Sequence, residues 1–308
     1  MLKHCLAVLA AMVMAGTLQA KDLKVLMIGN SFSICVGKNL PQIVASVPGH
    51  TLELTSCYIG GCVLQRHCKE WQTAEKNPKH KPYKISIWSS ANGKSRFFRY
   101  NVKEILKNNK YDIVYIQQGS SHSWDWSKYE PYAAELIGYI KKYQPQAEIV
   151  IQQTWSYRYD TRRMKNWGLD QQSMYDKLSA AYKNLAEKYQ FRVIPVGDAV
   201  QLFRSRTPVK FVKADLAKYK KPEVPPHPGE VVGKYAWRKN DKTQKDFLWT
   251  DFIHLNSDGE YMQALIWFAV LYNEPIDKVK FVPEKLTAPA ELLRSCAADA
   301  VKNYKQVK

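Results

Sequence analysis

Residues 23–33, with the sequence LKVLMIGNSFS, combine a short apolar run with a Gly-Asn-Ser turn. Residues 23–29 are almost continuously apolar, which is typical of a strand that other elements cover on both faces. A helical pattern follows over residues 33–47, and Pro48-Gly49 ends it. The stretch therefore predicts a strand, a tight turn and a helix, which together form the repeating unit of an α/β domain.

The same unit recurs along the chain. An alternating strand is predicted at residues 51–58, further strands at residues 112–117, 148–153 and 191–196, and helices at residues 129–143, 171–189, 258–272 and 289–303. Because strands and helices alternate, we expect a central, mainly parallel five-stranded sheet between two helix layers, which is a three-layer α/β/α fold. In such sheets, sites form beyond the carboxyl ends of the strands.

Two regions interrupt this alternation. Residues 72–100 are polar and lysine-rich, with a candidate hairpin turn around residues 91–93. Residues 204–247 contain many lysines and four prolines between residues 222 and 228, which predicts a loop insertion or a lid near the site. We therefore expect one domain over residues 21–308 that carries this insertion.

Residues 1–20 have the features of a secretory signal peptide. They contain an early lysine, an apolar run too short to span a bilayer, and a small residue at the end. We place cleavage after Ala20, which predicts a periplasmic or secreted protein without an integral membrane segment in its mature form. The alternative is a buried N-terminal helix.

Five cysteines follow the signal peptide, and export allows disulfides among them. Cys57, Cys62 and Cys68 are close enough in sequence for a local bridge. Together with His67 they also suggest a zinc site, but they form no CxxC pair. We therefore expect neither a metal nor a cofactor.

The chain carries a formal net charge of +18 at pH 7, and 45% of its residues are hydrophobic. The hydrophobic fraction is typical of a folded domain and argues against extended disorder. A charge excess of this size attracts nucleic acid, anionic lipid or acidic polysaccharide. Because the lysines are scattered and no nucleic-acid motif accompanies them, we expect solvated faces and no nucleic-acid partner. The oligomeric state is left open.

Ser31 lies in the turn that directly follows the first predicted strand. A serine in this position is exposed at the edge of the sheet, beside backbone N–H groups that favour a developing negative charge. These features suit the nucleophile of an acyl-transfer reaction. The alternative is that Asn30, Ser31 or Ser33 only caps the helix.

Asp251 and His254 stand in the segment WTDFIHLN near the carboxyl end, on a predicted turn before a helix. Three residues apart, their side chains can be aimed at one point. His254 would then accept the proton of the Ser31 hydroxyl, and Asp251 would orient the imidazole and stabilise its charged form. Taken alone, the same spacing also fits a surface capping arrangement.

The pairing of Gly-Asn-Ser-Phe after the first strand with a carboxyl-terminal Asp-x-x-His resembles the SGNH (GDSL-like) hydrolase superfamily. The IGNSFS, GGC and D-x-x-H-L-N elements are most similar to the DUF4886-like bacterial group of that superfamily. The resemblance implies a flavodoxin-like SGNH fold and a catalytic triad of Ser31, His254 and Asp251. It also implies an oxyanion hole made by the Ser31 N–H, a glycine N–H and a side-chain amide.

The other oxyanion-hole residues follow from the same resemblance. The glycine maps to Gly61, after the second strand, with Gly60 as the alternative. Superfamily members carry an asparagine after the third strand, but this chain has the sequence QQGSSH over residues 117–122. We expect the Gln118 amide to replace the asparagine, with Ser121 as the alternative.

Several residues after the strands are candidates for substrate contact, namely Asn30, Ser121, His122, Trp124 and Trp155. Aromatic rings at this edge can stack on sugars, although a single tryptophan more often packs beneath a loop. The arginines at positions 158, 162 and 163 could meet a uronate or a sulfate, and surface charge is the simpler interpretation of each.

These features predict a serine esterase that removes an acyl group, expected to be acetyl, from a small-molecule or oligosaccharide ester. A lipid ester or thioester hydrolase is the alternative within the same chemistry. The missing asparagine allows a second class, a carbohydrate-binding protein that has the SGNH fold without activity. The net charge allows a third class, a binder of anionic polymers.

Overall fold

The computed structural model describes residues 20–91 and 96–304. Its strands are β1 (Lys21–Gly29), β2 (His50–Tyr58), β3 (Tyr83–Ser89), β4 (Arg96–Tyr100), β5 (Ile113–Ile116), β6 (Glu148–Gln152), β7 (Arg192–Ile194), β8 (Val232–Lys239) and β9 (Asp246–Leu255). Its α-helices are α1 (Ser31–Ile34), α2 (Leu40–Ala45), α3 (Leu64–Lys76), α4 (Val102–Asn108), α5 (Tyr132–Tyr143), α6 (Arg162–Asn166), α7 (Gln171–Tyr189), α8 (Val196–Arg206), α9 (Ser257–Tyr272) and α10 (Ala290–Asn303). The predicted signal peptide lies outside the described residues, apart from Ala20.

The first seven strands form one sheet in the order β4-β3-β2-β1-β5-β6-β7. The strands β2, β1, β5, β6 and β7 run parallel to one another, and they are the five strands predicted from the sequence. Helices cover both faces of the sheet. The predicted α/β class, with a mainly parallel central sheet between two helix layers, is therefore confirmed.

The sheet is two strands wider than predicted. β3 pairs antiparallel with β2, and β4 pairs antiparallel with β3. Both added strands come from the polar stretch 72–100, and they flank the candidate hairpin turn predicted around residues 91–93. Residues 92–95 lie outside the described part. Along β3, Tyr83 and Ile85 are buried whereas Lys84 is exposed. Strands near the edge of a sheet show such alternation and lack the continuous apolar run of the central strands.

Two hydrophobic clusters cover the two faces of the sheet. Along β1, Val25 and Met27 face one cluster, whereas Leu26 and Ile28 face the other. Helices α2, α8, α9 and α10 pack on the first face, and α3, α4 and α5 pack on the second. Because both faces of β1 are buried, its sequence is apolar at consecutive positions.

The helix predicted over residues 33–47 is broken. α1 ends at Ile34, a 3-10 turn spans Cys35–Lys38, and α2 follows with Pro41 in its first turn. Gly37 lies against an indole in the 3-10 turn, since a Cβ built on it would come within 2.5 Å of the Trp88 ring. The break therefore brings Trp88 of β3 close to the segment that follows Ser31.

A second, two-stranded sheet pairs β8 antiparallel with β9. Within the described chain, residues 207–231 contain one regular element, a 3-10 turn at Leu216–Lys218. The interruption predicted over residues 204–247 thus comprises the end of α8, an irregular segment and most of the β8–β9 hairpin.

The cysteines in the described residues, Cys35, Cys57, Cys62, Cys68 and Cys296, are free thiols. The local bridge suggested among Cys57, Cys62 and Cys68 is therefore not formed. In the two described ranges, no helix is long and apolar enough to cross a membrane.

The order of the strands decides where a site can form. β1 lies between β2 and β5, so the chain crosses to one side after β1 and to the other side after β2 and the β3–β4 pair. Such a switch point opens a crevice at the carboxyl end of the first strand. Ser31 is two residues beyond the end of β1 and stands in this crevice.

Candidate active site

Ser31 is the first residue of α1, and its neighbour Asn30 is the N-cap. The Asn30 side-chain oxygen accepts a hydrogen bond from the Phe32 N–H at 2.9 Å. The preceding Gly29 has no room for a side chain, because a Cβ there would lie 2.3 Å from the Ser33 hydroxyl. The strand therefore turns sharply into the helix, and Ser31 is held half-buried at the turn.

Asn30 was predicted to contact substrate, and the structure contradicts this prediction. The side chain is 2% exposed, and its NH₂ group donates to the Cys62 carbonyl at 2.9 Å. Its oxygen also accepts from the side-chain amide of Gln117 at 2.6 Å. Asn30 therefore ties together the turns that follow β1, β2 and β5, and the alternative interpretation of Asn30 as a helix cap applies.

Asp251 and His254 lie on strand β9, where an irregularity changes the direction of the side chains. Asp251 pairs with Lys234 and Leu255 pairs with Val232, so three residues of β9 face the single residue Gly233. In a regular strand, side chains three positions apart point to opposite faces. The β-bulge removes this restriction. The predicted turn before α9 is therefore a bulge within a strand.

The Asp251 carboxylate shapes this bulge. Its Oδ1 accepts hydrogen bonds from the Ile253 N–H at 2.8 Å and from the His254 N–H at 3.0 Å. Its Oδ2 lies 2.7 Å from His254 Nδ1. One carboxylate thus sets both the backbone of the bulge and the orientation of the imidazole ring.

Two contacts from the loop after β6 hold the bulge from the other side. The Arg158 N–H donates to the Phe252 carbonyl at 2.9 Å, and the Trp155 indole N–H donates to the Ile253 carbonyl at 2.8 Å. The Trp155 ring stacks on Phe32 with the ring centroids 4.3 Å apart. Trp155 therefore links the helix of Ser31 to the strand of His254.

Trp155 was also predicted to contact substrate, and this prediction is wrong. The side chain is 0% exposed, because Phe32 covers its face and the bulge takes its N–H group. Its position after a strand at the functional edge was predicted correctly. The direction of its ring depends on partners from other elements.

Ser31, His254 and Asp251 form a continuous chain of hydrogen bonds. Ser31 Oγ lies 2.7 Å from His254 Nε2, and His254 Nδ1 lies 2.7 Å from Asp251 Oδ2. Burial by itself would raise the pKa of Asp251. The hydrogen bond and charge of His254, together with the two backbone N–H groups, outweigh burial and lower the pKa to about 2. Asp251 is therefore ionised at neutral pH.

An ionised Asp251 determines which nitrogen of a neutral His254 carries the proton. A carboxylate can only accept, so Nδ1 is the donor in that hydrogen bond, and Nε2 is left to accept from the Ser31 hydroxyl. The Asp251 side chain is 3% exposed, whereas 30% of the His254 side chain remains open to solvent. The arrangement can therefore remove a proton from Ser31 at a position that a substrate can reach.

Gly61 stands in the turn after β2 with φ at +61°, and a Cβ built on it would meet nothing within 4 Å. Within the described chain, neither the Ser31 N–H nor the Gly61 N–H donates a hydrogen bond to another group. The turn is fixed beside Ser31, because Asn30 binds the carbonyl of Cys62. Both N–H groups are thus free to act as oxyanion donors.

Gln118 was predicted to supply a third donor, and the structure contradicts this prediction. Its side chain is 0% exposed, and its NH₂ group donates to the Lys128 carbonyl at 2.8 Å. Its oxygen accepts from the Leu64 N–H at 2.9 Å and from the Gly119 N–H at 2.8 Å. The amide therefore faces the interior and joins the turn after β5 to the start of α3.

Ser121, His122 and Trp124 remain candidates for substrate contact. All three lie half-buried in the turn that precedes the 3-10 segment Trp126–Lys128. Burial and the charge of Lys128 lower the pKa of His122. The Trp124 ring lies 5.6 Å from the Trp167 ring, centroid to centroid.

Two cavities meet at His254, and we call them together the catalytic groove. The first has a volume of about 690 Å³ and includes Ser31, Trp88, Lys234, Arg238, Trp249 and His254 in its lining. The second has a volume of about 610 Å³ and includes Arg162, Arg163, Lys213, Trp249, Asp251 and His254. Trp249, Asp251 and His254 line both.

The groove contains residues that sequence reasoning missed as site residues. Trp88 was not considered, because the stretch around it is polar and was given only a candidate hairpin. The alternation of Tyr83, Ile85 and Ile87 with polar residues just before Trp88 is the signal that could have placed it on a strand. Lys234 and Arg238 lie four residues apart on one face of β8, inside the stretch that we predicted to be a loop.

Within residues 20–91 and 96–304, no group of three or more His, Cys, Asp or Glu side chains is placed to hold a metal ion.

Comparison with solved structures finds similar proteins. A DUF4886 family protein from Bacteroides uniformis ATCC 8492 superimposes with a TM-score of 0.72 at 23% identity, over 92% of this chain and 95% of that chain. A candidate SGNH hydrolase from Slackia heliotrinireducens gives a TM-score of 0.49 at 18% identity, over 82% of this chain and 100% of that chain. The superposition on the Bacteroides uniformis protein shows a shared fold, and an identity of 23% leaves the activity open.

Comparison of sequences points to the same family. No curated protein matches the chain. The family model of DUF4886, a domain of unknown function, matches residues 24–218, which is more than half of the chain and includes Ser31 and Gly61. The chain therefore belongs to the DUF4886 family.

Proposed function

We propose that this protein is a serine hydrolase that cleaves ester bonds, with Ser31 as nucleophile, His254 as general base and Asp251 as the group that orients His254. The observation that carries the proposal is the hydrogen-bonded chain from Ser31 Oγ to His254 to Asp251, with both links at 2.7 Å. A buried, ionised carboxylate behind a partly exposed histidine and a serine is the arrangement that activates a hydroxyl for acyl transfer.

The reaction follows from this geometry in two steps. Ser31 Oγ attacks the ester carbonyl while His254 Nε2 takes the hydroxyl proton, and the Ser31 and Gly61 N–H groups stabilise the oxyanion. The alcohol leaves with the proton from His254, and an acyl group remains on Ser31. Water, deprotonated by the same nitrogen, then attacks the acyl carbonyl and releases the acid.

For the substrate, we propose an acyl ester, expected to be an acetyl ester, of a carbohydrate. Two tryptophans support this, because Trp88 and Trp249 both line the cavity of Ser31 and offer flat rings on which a sugar can stack. Four charged side chains, Lys38, Lys234, Arg238 and Glu260, stand in the same lining beside the apolar Ile34 and Leu255, and they disfavour a site for a long lipid chain.

A second candidate function is carbohydrate binding without catalysis. The observation that favours it is the inward direction of the Gln118 amide, which leaves the oxyanion hole with two backbone donors. Removing one oxyanion donor costs enzymes about 10²–10³-fold in kcat. A site with two donors and an intact triad still accelerates hydrolysis measurably, so the two functions differ in a rate that can be measured.

The test is hydrolysis of p-nitrophenyl acetate by the protein and by its Ser31→Ala and His254→Ala variants. We expect each substitution to lower kcat by about 10³-fold or more, because the nucleophile or its base is lost. Ser205→Ala, at an exposed serine on α8, is the control and should retain the full rate. A rate near background for the unaltered protein, or one that Ser31→Ala leaves unchanged, would contradict the esterase and favour the binding protein.

A further inference from the structure

Besides Lys38, which forms an ion pair with Glu260, five cationic side chains line the catalytic groove, namely Arg162, Arg163, Lys213, Lys234 and Arg238. In the part of the chain that the structure describes, none of them forms an ion pair with a carboxylate. Arg163 lies beside the hydroxyl of Tyr157, which is a neutral partner. The positive charge of these five side chains is thus not balanced by ion pairs with carboxylates of the described chain.

The carboxylates in the same lining are already engaged. Asp160 binds Arg158 at 2.6 Å, Glu260 binds Lys38 at 2.7 Å, and Asp251 binds the imidazole of His254 at 2.7 Å. Asp160 and Glu260 therefore each neutralise a cation other than these five, and Asp251 is held by the His254 ring. A site lined by positive charges concentrates anionic ligands.

Arg238, which lies over Trp249, is positioned to bind a planar anion. The guanidinium carbon of Arg238 lies 3.3 Å from the centroid of the Trp249 ring. A stacked guanidinium keeps its charge and its N–H edge, which binds carboxylate or sulfate oxygens in pairs. Because Trp249 lines both cavities, the cavity that contains Ser31 adjoins the cavity that contains Arg162, Arg163 and Lys213 at this residue.

We propose that the substrate is an acyl ester of an acidic saccharide, with its carboxylate or sulfate group held by Arg162, Arg163 and Lys213 and its ester at Ser31. This inference rests on the proposed function and adds the charge of the substrate to it. The acyl transfer itself is unchanged. The bond between the acyl carbon and the sugar oxygen breaks, and the sugar oxygen takes the proton from His254. Water then attacks the acyl carbon on Ser31 and releases the acid.

Arg158, which the sequence grouped with Arg162 and Arg163, is not part of this cluster. Its side chain is 0% exposed, and its guanidinium binds both oxygens of Asp160, at 2.6 Å and 3.0 Å. The rings of Phe211, Tyr235 and Phe252 surround it. Arg158 therefore anchors the loop and the hairpin, whereas Arg162 and Arg163 are exposed.

The test compares the acetyl esters of three sugars: methyl glucoside, the methyl glycoside of glucuronic acid with its carboxylate free, and methyl glucoside 6-sulfate. Acetate release is the readout. We expect kcat/KM to be about tenfold higher for at least one anionic ester than for the neutral one, because the anionic ester has a lower KM. In Arg162→Gln/Arg163→Gln, the ratio of anionic to neutral kcat/KM should fall about tenfold. Added salt should lower the same ratio, because it screens exposed charges.

The control variant is Lys107→Gln/Lys110→Gln, which removes the same amount of charge at exposed lysines in the last turn of α4 and just after it. It should leave the ratio as it is in the unaltered protein. Equal kcat/KM for the neutral and both anionic esters, or an equal fall in this control, would overturn the inference. Which anionic ester keeps the preference decides between carboxylate and sulfate.

A binding measurement separates failure of this inference from failure of the proposed function. Glucuronate and glucose 6-sulfate oligosaccharides are titrated into Ser31→Ala, with and without Arg162→Gln/Arg163→Gln. Binding that the arginine substitutions weaken at least tenfold supports the acidic saccharide even if no ester is hydrolysed. Hydrolysis of p-nitrophenyl acetate without any such binding retains the hydrolase and rejects the acidic saccharide.

Discussion

At the scale of single residues, the two carboxylate oxygens of Asp251 have different partners. Oδ1 accepts the N–H groups of Ile253 and His254 and so shapes the bulge, whereas Oδ2 accepts from the His254 ring. The two tasks can be separated by substitution, because an asparagine retains one side-chain oxygen and replaces the other by an NH₂ group.

We expect Asp251→Asn to lower kcat for p-nitrophenyl acetate by about 10³–10⁴-fold, because the NH₂ group favours the wrong tautomer of His254. Since the Oδ1 bonds remain, the free energy of unfolding should change by less than about 2 kcal/mol. Steady-state kinetics and urea unfolding check both expectations. A kcat within tenfold of the unaltered protein would show that Asp251 does not orient the base.

Trp155 acts on the site through another residue. Its indole N–H holds the Ile253 carbonyl, next to His254, and its ring is stacked on Phe32, next to Ser31. It is a positioning residue, because it is buried and does not reach the groove.

In Trp155→Phe the stacking on Phe32 is retained and the hydrogen bond to Ile253 is lost. We expect the free energy of unfolding to fall by about 1–3 kcal/mol, because a buried carbonyl loses its donor. Esterase kcat should fall about tenfold, with KM unchanged. The control is Trp71→Phe, which removes a buried indole donor to the Tyr83 hydroxyl in the other hydrophobic cluster. A parallel fall of kcat in this control would remove the specific role of Trp155.

At the scale of elements, the β-bulge in β9 depends on Gly233 of β8. Gly233 faces the three bulged residues with φ at +94°, a backbone conformation that side chains disfavour. A Cβ there would lie 2.7 Å from the Asp251 carbonyl oxygen and 3.0 Å from Arg158 Nη1. The glycine therefore makes room for the backbone that carries Asp251.

Gly233→Ala should lower the free energy of unfolding by about 2–4 kcal/mol, because it adds backbone strain and a contact with the bulge. Esterase activity should fall at temperatures well below the midpoint of unfolding, since the displaced backbone carries Asp251. Gly138→Ala is the matched control. Gly138 lies within α5 with nothing near its Cβ position, so alanine should stabilise the helix by about 0.5–1 kcal/mol. Full activity of folded Gly233→Ala would contradict a role of the bulge.

At the scale of the whole molecule, Glu75 joins three helices on the face of the sheet that is covered by α3, α4 and α5. From α3, it binds Lys103 of α4 at 2.9 Å and Lys142 of α5 at 3.1 Å, and it accepts from the Tyr143 hydroxyl. Partial burial alone would raise the pKa of Glu75. The bonds from Tyr143, Lys103 and Lys142 outweigh burial and lower the pKa to about 2.

Because the pKa of Glu75 is lower in the folded chain than its ordinary value of 4.5, its contribution to stability is present above about pH 4.5. The contribution is lost as the pH falls towards 2. We expect Glu75→Gln to lower the free energy of unfolding by about 1–2 kcal/mol at pH 7, after a discount for solvent screening, and by almost nothing at pH 2.

Urea unfolding of both proteins at pH 7, 4 and 2 measures this difference. Glu284→Gln, at an exposed carboxylate, is the control and should be neutral at each pH. A difference between Glu75→Gln and the unaltered protein that stays constant from pH 7 to pH 2 would contradict the role of the Glu75 charge.

The sequence by itself determined the five parallel strands and the three members of the hydrogen-bonded chain. β1, β5 and β6 are short apolar runs because both of their faces are buried, and the pattern of one strand records that burial without reference to its neighbours. Ser31, Asp251 and His254 could be named for a related reason. Each lies in a short segment whose residue types already suit the chemistry, and the structure brings their side chains into contact.

Only the tertiary structure decided where the polar and aromatic side chains around this chain point. Asn30, Gln118 and Trp155 follow strands at the expected edge, yet they bind backbone groups of other elements and face inward. Trp88 and Trp249 come from distant strands and meet in one cavity. A hydrogen bond or a packed ring needs a partner that folding supplies, and no local periodicity encodes that partner. Ser31, Asp251, His254 and Gly61 were therefore predictable, whereas the direction of the Gln118 amide and the walls of the groove were not.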